Sequence, residues 1–169
     1  MAAEVVAMID QSAALRFLDL PRLAVVGASD DPRKFGNTIY RELRKRGRDA
    51  VAVNPNVSSI DGEPCYPDLG SLPEPVDGVV VMVGRDHSAE VVQSCADHGI
   101  KKVWLFKGLG GPGAVSDEAL AICRDNGIGV VAGACPLMFL EPVGSVHRVH
   151  RALRRLNRSL VGSSQEVPA

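Results

Sequence analysis

The chain has 169 residues, with 19 Lys and Arg against 20 Asp and Glu for a formal charge of -1, and is 46% hydrophobic and 23% charged. These are the proportions of one ordinary globular domain, and they exclude a disordered chain, a collagen-like repeat and a scaffold that depends on disulfides. Cys65, Cys95, Cys123 and Cys135 include no C-x-x-C pair, which reads as reduced thiols in a cytoplasmic protein. Residues 1–20 contain Glu4, Asp10, Arg16 and Asp19 and no long apolar run, so neither a signal peptide nor a membrane anchor is expected there. Charge is uneven along the chain: residues 33–49 hold seven Lys or Arg and two acids, and residues 148–158 hold five Arg and no acid. Such local basic surface fits a compact anion better than a long polyanion, so no nucleic acid and no membrane is expected as partner.

Residues 3–17 read as an added N-terminal helix. Leu23-Ala-Val-Val-Gly27 is a short apolar run closed by glycine, and residues 35–46 carry Ile39 and Leu43 at helical spacing, which predicts strand, loop and helix. Gly47 suits a helix C-cap, and Ala50-Val-Ala-Val53 is a second strand that stops at the turn dipeptide Asn54-Pro55. Residues 76–83 form a nearly unbroken Val-rich run, the pattern of a strand buried on both faces. Asp86 is the expected cap of the next helix, whose Val91, Val92 and Cys95 share a face. Residues 101–106 predict another strand, residues 108–113 a glycine-rich loop, Ser116-Asp-Glu118 a helix start, and residues 129–132 a last strand. Strands alternating with helices argue for an α/β fold, a Rossmann-like doubly wound parallel sheet in a single domain with flanking N- and C-terminal helices. The expected divisions are 1–20 for the first helix, 21–140 for the sheet domain, 141–161 for a C-terminal amphipathic helix and 162–169 for a flexible tail. Val146, Val149, Leu153, Leu156 and Leu160 form the stripe of that last helix, which suits docking on its own chain or a homodimer seam.

In an open α/β sheet the ligand sits beyond the carboxyl ends of the strands, near the point where strand order reverses. The residues there are Gly27-Ala28-Ser29, Asn54-Pro55, Val83-Gly84-Arg85 and Lys107-Gly108. A glycine followed by small residues lets backbone N–H groups approach a phosphate, the Ser29 hydroxyl adds a donor, and the next helix points its positive end at the same place. Arg33 and Lys34 precede that helix and suit further phosphate charge, while Gly36-Asn37 gives the turn room. A tight β–α turn with a solvated lysine explains the same residues, and the pattern alone leaves both readings open. A nicotinamide dinucleotide fits poorly, because Gly27 is followed by no glycine until Gly36 and the second strand ends in Asn54-Pro55 where an acid would hold the ribose. No P-loop string is present.

Val25-Val-Gly-Ala-Ser29, Pro32-Arg-Lys34, Phe35-Gly-Asn37, Val53-Asn-Pro55, Gly62 to Tyr66, Leu72-Pro-Glu-Pro-Val-Asp77, Trp104 and Cys135-Pro136 together resemble the stand-alone CoA-binding domain proteins. The same fold forms the CoA-binding part of succinyl-CoA synthetase and of ADP-forming acyl-CoA synthetases, and the resemblance runs from Leu23 to Leu140. It implies coenzyme A or an acyl-CoA as cofactor, with its ADP portion across the ends of the first two strands. It assigns Gly27, Ala28 and Ser29 to the phosphate loop, Lys34 to phosphate charge, Phe35 and Gly36 to the helix start, Asn54 and Pro55 to the wall beside the nucleotide, and Val83 and Arg85 to the third core strand's end. This chain departs from those relatives in Val83-Gly84-Arg85, where they often carry Phe-Arg, and in Trp104-Leu-Phe106, where they carry W-x-Q.

The synthetases turn over substrate with a phosphohistidine in a further domain, and none is legible after Leu140, so no catalytic residue and no enzyme activity is expected from this chain alone. His87 and His98 read as exposed helix residues, and Asp61-Gly62-Glu63 as a polar loop. Cys135, His147 and His150 make a loose thiol and imidazole set without an evident fourth ligand, and no metal is assigned. The expected function is reversible binding of CoA or acyl-CoA as carrier, sensor or subunit. The alternatives are a subunit of a nucleotide-dependent acyl-CoA synthetase or transferase, with a synthetase-type partner chain, and a dinucleotide-responsive redox or regulatory sensor.

Overall fold

The computed structural model describes residues 10–108 and 111–140. In chain order these form α1 (Gln11–Leu18), β1 (Arg22–Val26), α2 (Phe35–Lys45), β2 (Asp49–Val53), β3 (Ser59–Ile60), β4 (Glu63–Tyr66), β5 (Gly78–Val81), α3 (Arg85–Asp97), β6 (Lys102–Phe106), α4 (Asp117–Asp125) and β7 (Gly129–Ala134). Short 3-10 turns lie at Leu69–Ser71 and Pro136–Met138. The strands build one sheet in the order β3-β4-β2-β1-β5-β6-β7. Every neighbouring pair is parallel except β3 with β4. The chain steps outward from β1 to β2 and β4, then returns to β5 on the other side of β1. Strand order therefore reverses between β1 and β5, and the fold is the doubly wound α/β sheet expected from the alternating pattern.

Both faces of that sheet are covered, which is why its strands read as unbroken apolar runs. Side chains alternate along each strand. Val25, Val80 and Trp104 pack with Phe17 and Leu18 of α1 and Ile39, Tyr40 and Leu43 of α2 on one face. Ala24, Val79, Val81, Val103 and Leu105 pack with Val92 and Cys95 of α3 and Ala119 and Cys123 of α4 on the other. Trp104 is fully buried, meets Phe17 and Phe139 edge to face at 5.5 and 5.7 Å, and donates from Nε1 to the Ala134 carbonyl at 2.9 Å.

The N-terminal helix is part of this core. Asp10 caps it, and Gly78 leaves the room it needs, since a Cβ there would stand 2.7 Å from Leu20 Cδ1. Asp19 at its end accepts from Arg48 Nη2 at 3.1 Å, tying the helix to the start of β2. Gly47 ends α2 as the sequence implies: its φ is +71°, and the Arg48 N–H returns to the Leu43 carbonyl at 3.0 Å. Ser116 caps α4 by accepting from the Ala119 N–H.

One reading is refined and one corrected. The segment taken as a polar loop at Asp61-Gly62-Glu63 is the turn of the β3–β4 hairpin, with Asp61 and Gly62 at φ +53° and +80°. Two successive positive φ values in a two-residue connection are what an Asp-Gly pair favours, and Arg41 and Arg44 of α2 hold the hairpin through Asp61 and Glu63. Asp86 is not a cap: Gly84 occupies that position and Asp86 lies in the first turn of α3, where its charge suits the helix dipole. The expected C-terminal helix, its apolar stripe, the tail, His147 and His150 lie outside the described residues.

Candidate functional site

The carboxyl end of β1 meets three other elements at once. Gly27 has φ +90° and its N–H donates to the Val53 carbonyl at 2.9 Å, so it joins the ends of β1 and β2. A Cβ at Gly27 would lie 3.0 Å from the Met82 carbonyl carbon and 3.1 Å from the Val83 nitrogen, so glycine also lets the chain after β5 pass close by. From the other side, a Cβ at Gly36 would lie 2.1 Å from the Gly27 carbonyl oxygen. The first turn of α2 thus rests directly on the loop, an approach that no other residue permits.

Side-chain amides hold that loop in place. The buried Asn37 donates from Nδ2 to the Ser29 carbonyl, and Asn54 donates from Nδ2 to the Ala28 carbonyl, each at 2.7 Å. Asn54 Oδ1 accepts the Asn56 N–H as well, so its amide is used at both ends. The Ser29 hydroxyl oxygen accepts the Asp31 N–H at 3.0 Å and so orders the loop, which leaves its O–H as a donor. Ala28 is fully buried and its side chain packs in the core. Val83 is half-buried, and Pro55 is exposed beside Asn54.

What these ties leave over is a set of donors. Among the described residues the N–H groups of Ala28, Ser29, Phe35 and Gly36 have no hydrogen-bond partner. The helices α1 and α4 are capped by a side chain, whereas α2 and α3, which begin beside the β1–β5 switch, begin at Lys34 and Gly84 with no side-chain cap. Two helix N-termini with unsatisfied donors and positive dipole ends thus face this edge of the sheet, a chemistry that suits an anion.

The arginines sort in the same way. Arg16, Arg22, Arg33, Arg41, Arg44, Arg46, Arg48 and Arg124 each meet a carboxylate. Arg33, expected to neutralise phosphate, holds Asp31 through two nitrogens at 3.0 Å, and that hydrogen-bonded pairing keeps the Asp31 carboxyl below its ordinary range. Arg85 is the arginine that meets no acid among the described residues, and the exposed Lys34, Lys101, Lys102 and Lys107 are likewise without an ion pair there, Lys101 and Lys102 standing at the amino end of β6. Lys34, Arg85 and Lys107 all stand at the carboxyl edge of the sheet.

Two features were not foreseen in sequence, the contact that the site residue Phe35 makes with Phe106 and the exposure of Met138. Phe35, at the first position of α2, is 62% exposed, and its ring meets that of Phe106 from the end of β6 at 5.7 Å. Met138, in the 3-10 turn after β7, is 73% exposed. A large aromatic at a helix start was the available signal, but its partner is distant in the chain. The thiols offer little chemistry: burial pushes Cys95 up to about 12 and raises Cys65 and Cys123, so all three are neutral at pH 7. His87 and His98 are exposed, as expected. No helix among the described residues is long and apolar enough to cross a membrane.

Comparison with known proteins bears on the same region. A family described as a CoA binding domain matches residues 21–141. An acetate–CoA ligase (ADP-forming) of Archaeoglobus fulgidus is 32% identical over 118 residues, which is 67% of this chain and 17% of the ligase, so the chain spans a minor part of that relative's length. YneT of Bacillus subtilis, an uncharacterized protein, is 25% identical over 114 residues, 68% of this chain and 81% of its own. A conserved hypothetical protein from Pyrococcus furiosus has a solved structure that superposes with a TM-score of 0.64 at 34% identity, covering 70% of this chain and 98% of that one.

Proposed function

The chain belongs to the CoA-binding domain family and is related to a region of the ADP-forming acetate–CoA ligases, and from that premise we propose that it binds coenzyme A or an acyl-CoA at the carboxyl edge of its sheet. The observation that carries the proposal is the uncapped start of α2, pressed onto the Gly27 loop with peptide donors unused. The diphosphate lies there against the N–H groups of Ala28, Ser29, Phe35 and Gly36, Lys34 and Arg85 offset its charge from the two helix starts, and the adenine rests on Asn54 and Pro55. Val83 lines the floor of this site. The Ser29 hydroxyl and the Asn54 amide hold the loop. The sheet domain of residues 21–140 carries this site, and recognition rather than catalysis is its task.

Support also comes from what the site lacks. The end of β2 presents Asn54 with both amide ends engaged, where a nicotinamide dinucleotide would need a carboxylate for its ribose. Thermal unfolding with CoA, acetyl-CoA, NAD, NADP and ATP tests the reading, because a ligand held by the native state alone raises the midpoint. The CoA species raise it and the dinucleotides do not. Lys34→Ala and Arg85→Ala each lower CoA affinity about tenfold, the worth of one charge-assisted contact, and salt weakens binding by the parent more than by either variant. A midpoint raised by NAD, or by nothing, refutes the assignment.

A second reading has one observation of its own in favour: the matched region is 17% of one ligase and 26% of the alpha subunit of another, from Pyrococcus furiosus. The chain then supplies the CoA site to a synthetase whose nucleotide and phosphotransfer groups come from another polypeptide. Affinity purification from its own cells distinguishes the two, since a stoichiometric nucleotide-binding partner supports the subunit role and its absence supports a carrier or sensor.

A further inference from the structure

Ala28, Ser29 and Asp30 follow the positive-φ Gly27 and lie outside strand and helix, so no ladder of hydrogen bonds fixes their peptides. The rest of the loop satisfies itself. The Asp31 N–H meets the Ser29 hydroxyl, the Arg33 N–H meets Asp31 Oδ1, the Lys34 N–H meets the Asp31 carbonyl, and Pro32 has none to offer. The Asp30 N–H therefore joins those of Ala28, Ser29, Phe35 and Gly36 as a donor without a hydrogen-bond partner among the described residues.

Two carbonyls of this stretch are held from outside it, Ala28 by Asn54 Nδ2 and Ser29 by Asn37 Nδ2, each at 2.7 Å. A peptide is planar and trans, so its C=O and N–H point in opposite directions and fixing one fixes the other. Asn54 thereby sets the Ser29 N–H, and Asn37 sets the Asp30 N–H. Rotating either peptide by half a turn would bring a carbonyl oxygen to where its N–H now points, which replaces an attraction for an anion by a repulsion. Asn37 is 3% exposed and takes the third position of α2. Asn is a poor helix former, and a buried amide is costly unless it is bonded, so the bond to Ser29 is what accounts for Asn at this position.

We propose that Asn37 is a positioning residue for anion recognition: by holding the Ser29 carbonyl it keeps the Asp30 N–H available as a further donor to the ligand's diphosphate, a role that Asn54 repeats for the Ser29 N–H. The inference rests on the CoA site proposed above. The test follows the amide protons of Ser29 and Asp30 by NMR of the full chain as CoA is added, with CoA affinity measured by calorimetry. In the parent both protons move downfield on binding, because each gains an acceptor. Asn37→Asp keeps the side-chain shape, but its carboxylate at about pH 7 cannot donate to the Ser29 carbonyl. It abolishes the Asp30 shift, keeps that of Ser29 and lowers CoA affinity by about tenfold or more. Burial and the facing carbonyl raise the new carboxyl above the ordinary value near 3.9, so by about pH 5 it is protonated and donates again, and affinity returns to within about threefold of the parent at that pH. Asp30, Asp31, Arg33 and Lys34, the charged groups of the loop and helix start, are common to both proteins, so the ratio at each pH reports the substituted group. Asn54→Asp, at a half-buried position, gives the reciprocal pattern, with the Ser29 shift lost and that of Asp30 kept, and it carries the test if Asn37→Asp is too unstable to titrate. A parent whose Asp30 amide stays still as CoA binds overturns the proposal. A variant that loses both shifts together, or an Asn37→Asp protein that still binds weakly at about pH 5, overturns it too. A parent that binds no CoA removes the site itself, and that result is distinct from the others.

Discussion

Replacing Gly36 by alanine drives a methyl group into the loop that the proposed site depends on. The new Cβ would stand 2.1 Å from the Gly27 carbonyl oxygen and 3.1 Å from its carbon, where nonbonded heavy atoms prefer about 3.5 Å. The clash involves main-chain atoms on the loop side, so no rotamer change relieves it and the start of α2 must move by more than about 1 Å. The hydrogen bond from Asn37 Nδ2 to the Ser29 carbonyl, 2.7 Å long, is then stretched beyond about 3.5 Å and lost. Overpacking costs about 1–3 kcal/mol and an unsatisfied buried polar group about 1–3 kcal/mol, against less than about 1 kcal/mol gained by alanine's helix propensity. A net loss of about 2–4 kcal/mol follows, which for a chain of this size lowers the thermal midpoint by roughly 5–15 °C. Urea and thermal unfolding measure the loss, and CoA titration well below the transition reads the site separately, with at least a tenfold loss of affinity expected. Gly84→Ala is the control, because a Cβ there meets nothing within 4 Å and its φ is -64°; it costs less than about 1 kcal/mol. A Gly36→Ala protein within about 0.5 kcal/mol of the parent, with unchanged CoA binding, would refute the close approach of α2 to the loop.

Two further tests address the scaffold. Trp104→Phe removes the donor to the Ala134 carbonyl and part of the edge-to-face packing with Phe17 and Phe139, and lowers stability by about 2–4 kcal/mol in urea; an effect below about 1 kcal/mol would count against Trp104 as the anchor of α1. Acid is the second perturbation. Hydrogen bonding to Arg41 lowers the Asp61 carboxyl below its ordinary value, and Arg33 does the same for Asp31. Groups with a depressed folded pKa stabilise above their unfolded value, near 3.9, and lose that contribution as pH falls through the folded value. The urea midpoint therefore falls steadily below about pH 4, and Asp61→Asn, which leaves the hairpin turn but not the charge, flattens the decline; an equal slope in both proteins would exclude that pair as a contributor.

Local chemistry was legible in the sequence wherever a residue acts on its immediate neighbours or where burial imposes a period. The Val-rich run of residues 76–83 announced a strand covered on both faces because a parallel sheet offers no wet side. Gly47 and Ser116 marked a helix end and a helix start because capping is a matter of a few adjacent residues. The chain order of strands and helices was enough for the doubly wound topology, since right-handed crossovers leave few alternatives. The Gly27 loop was found for the same reason, as the first strand-to-helix turn of such a sheet. The β3–β4 hairpin was missed because its strands are short, although Asp61-Gly62 carried its turn signal.

The tertiary structure alone decided how the named residues are used, since that depends on partners far away in the chain. Arg22, Arg41, Arg44 and Arg48 find their acids 19 to 52 residues away, and only the fold shows that Arg85 meets none among the described residues, whereas Asp31, the partner of Arg33, stands two residues before it. Asn37 and Asn54 became loop fasteners only when α2 and β2 were brought against the neighbouring carbonyls of Ser29 and Ala28. Phe35 and Phe106 are 71 residues apart and meet because α2 starts at β1 while β6 lies two strands away. Periodicity and capping are short-range and are written in the chain; charge pairing, donor availability and ring contacts are settled by which strand ends the sheet brings side by side.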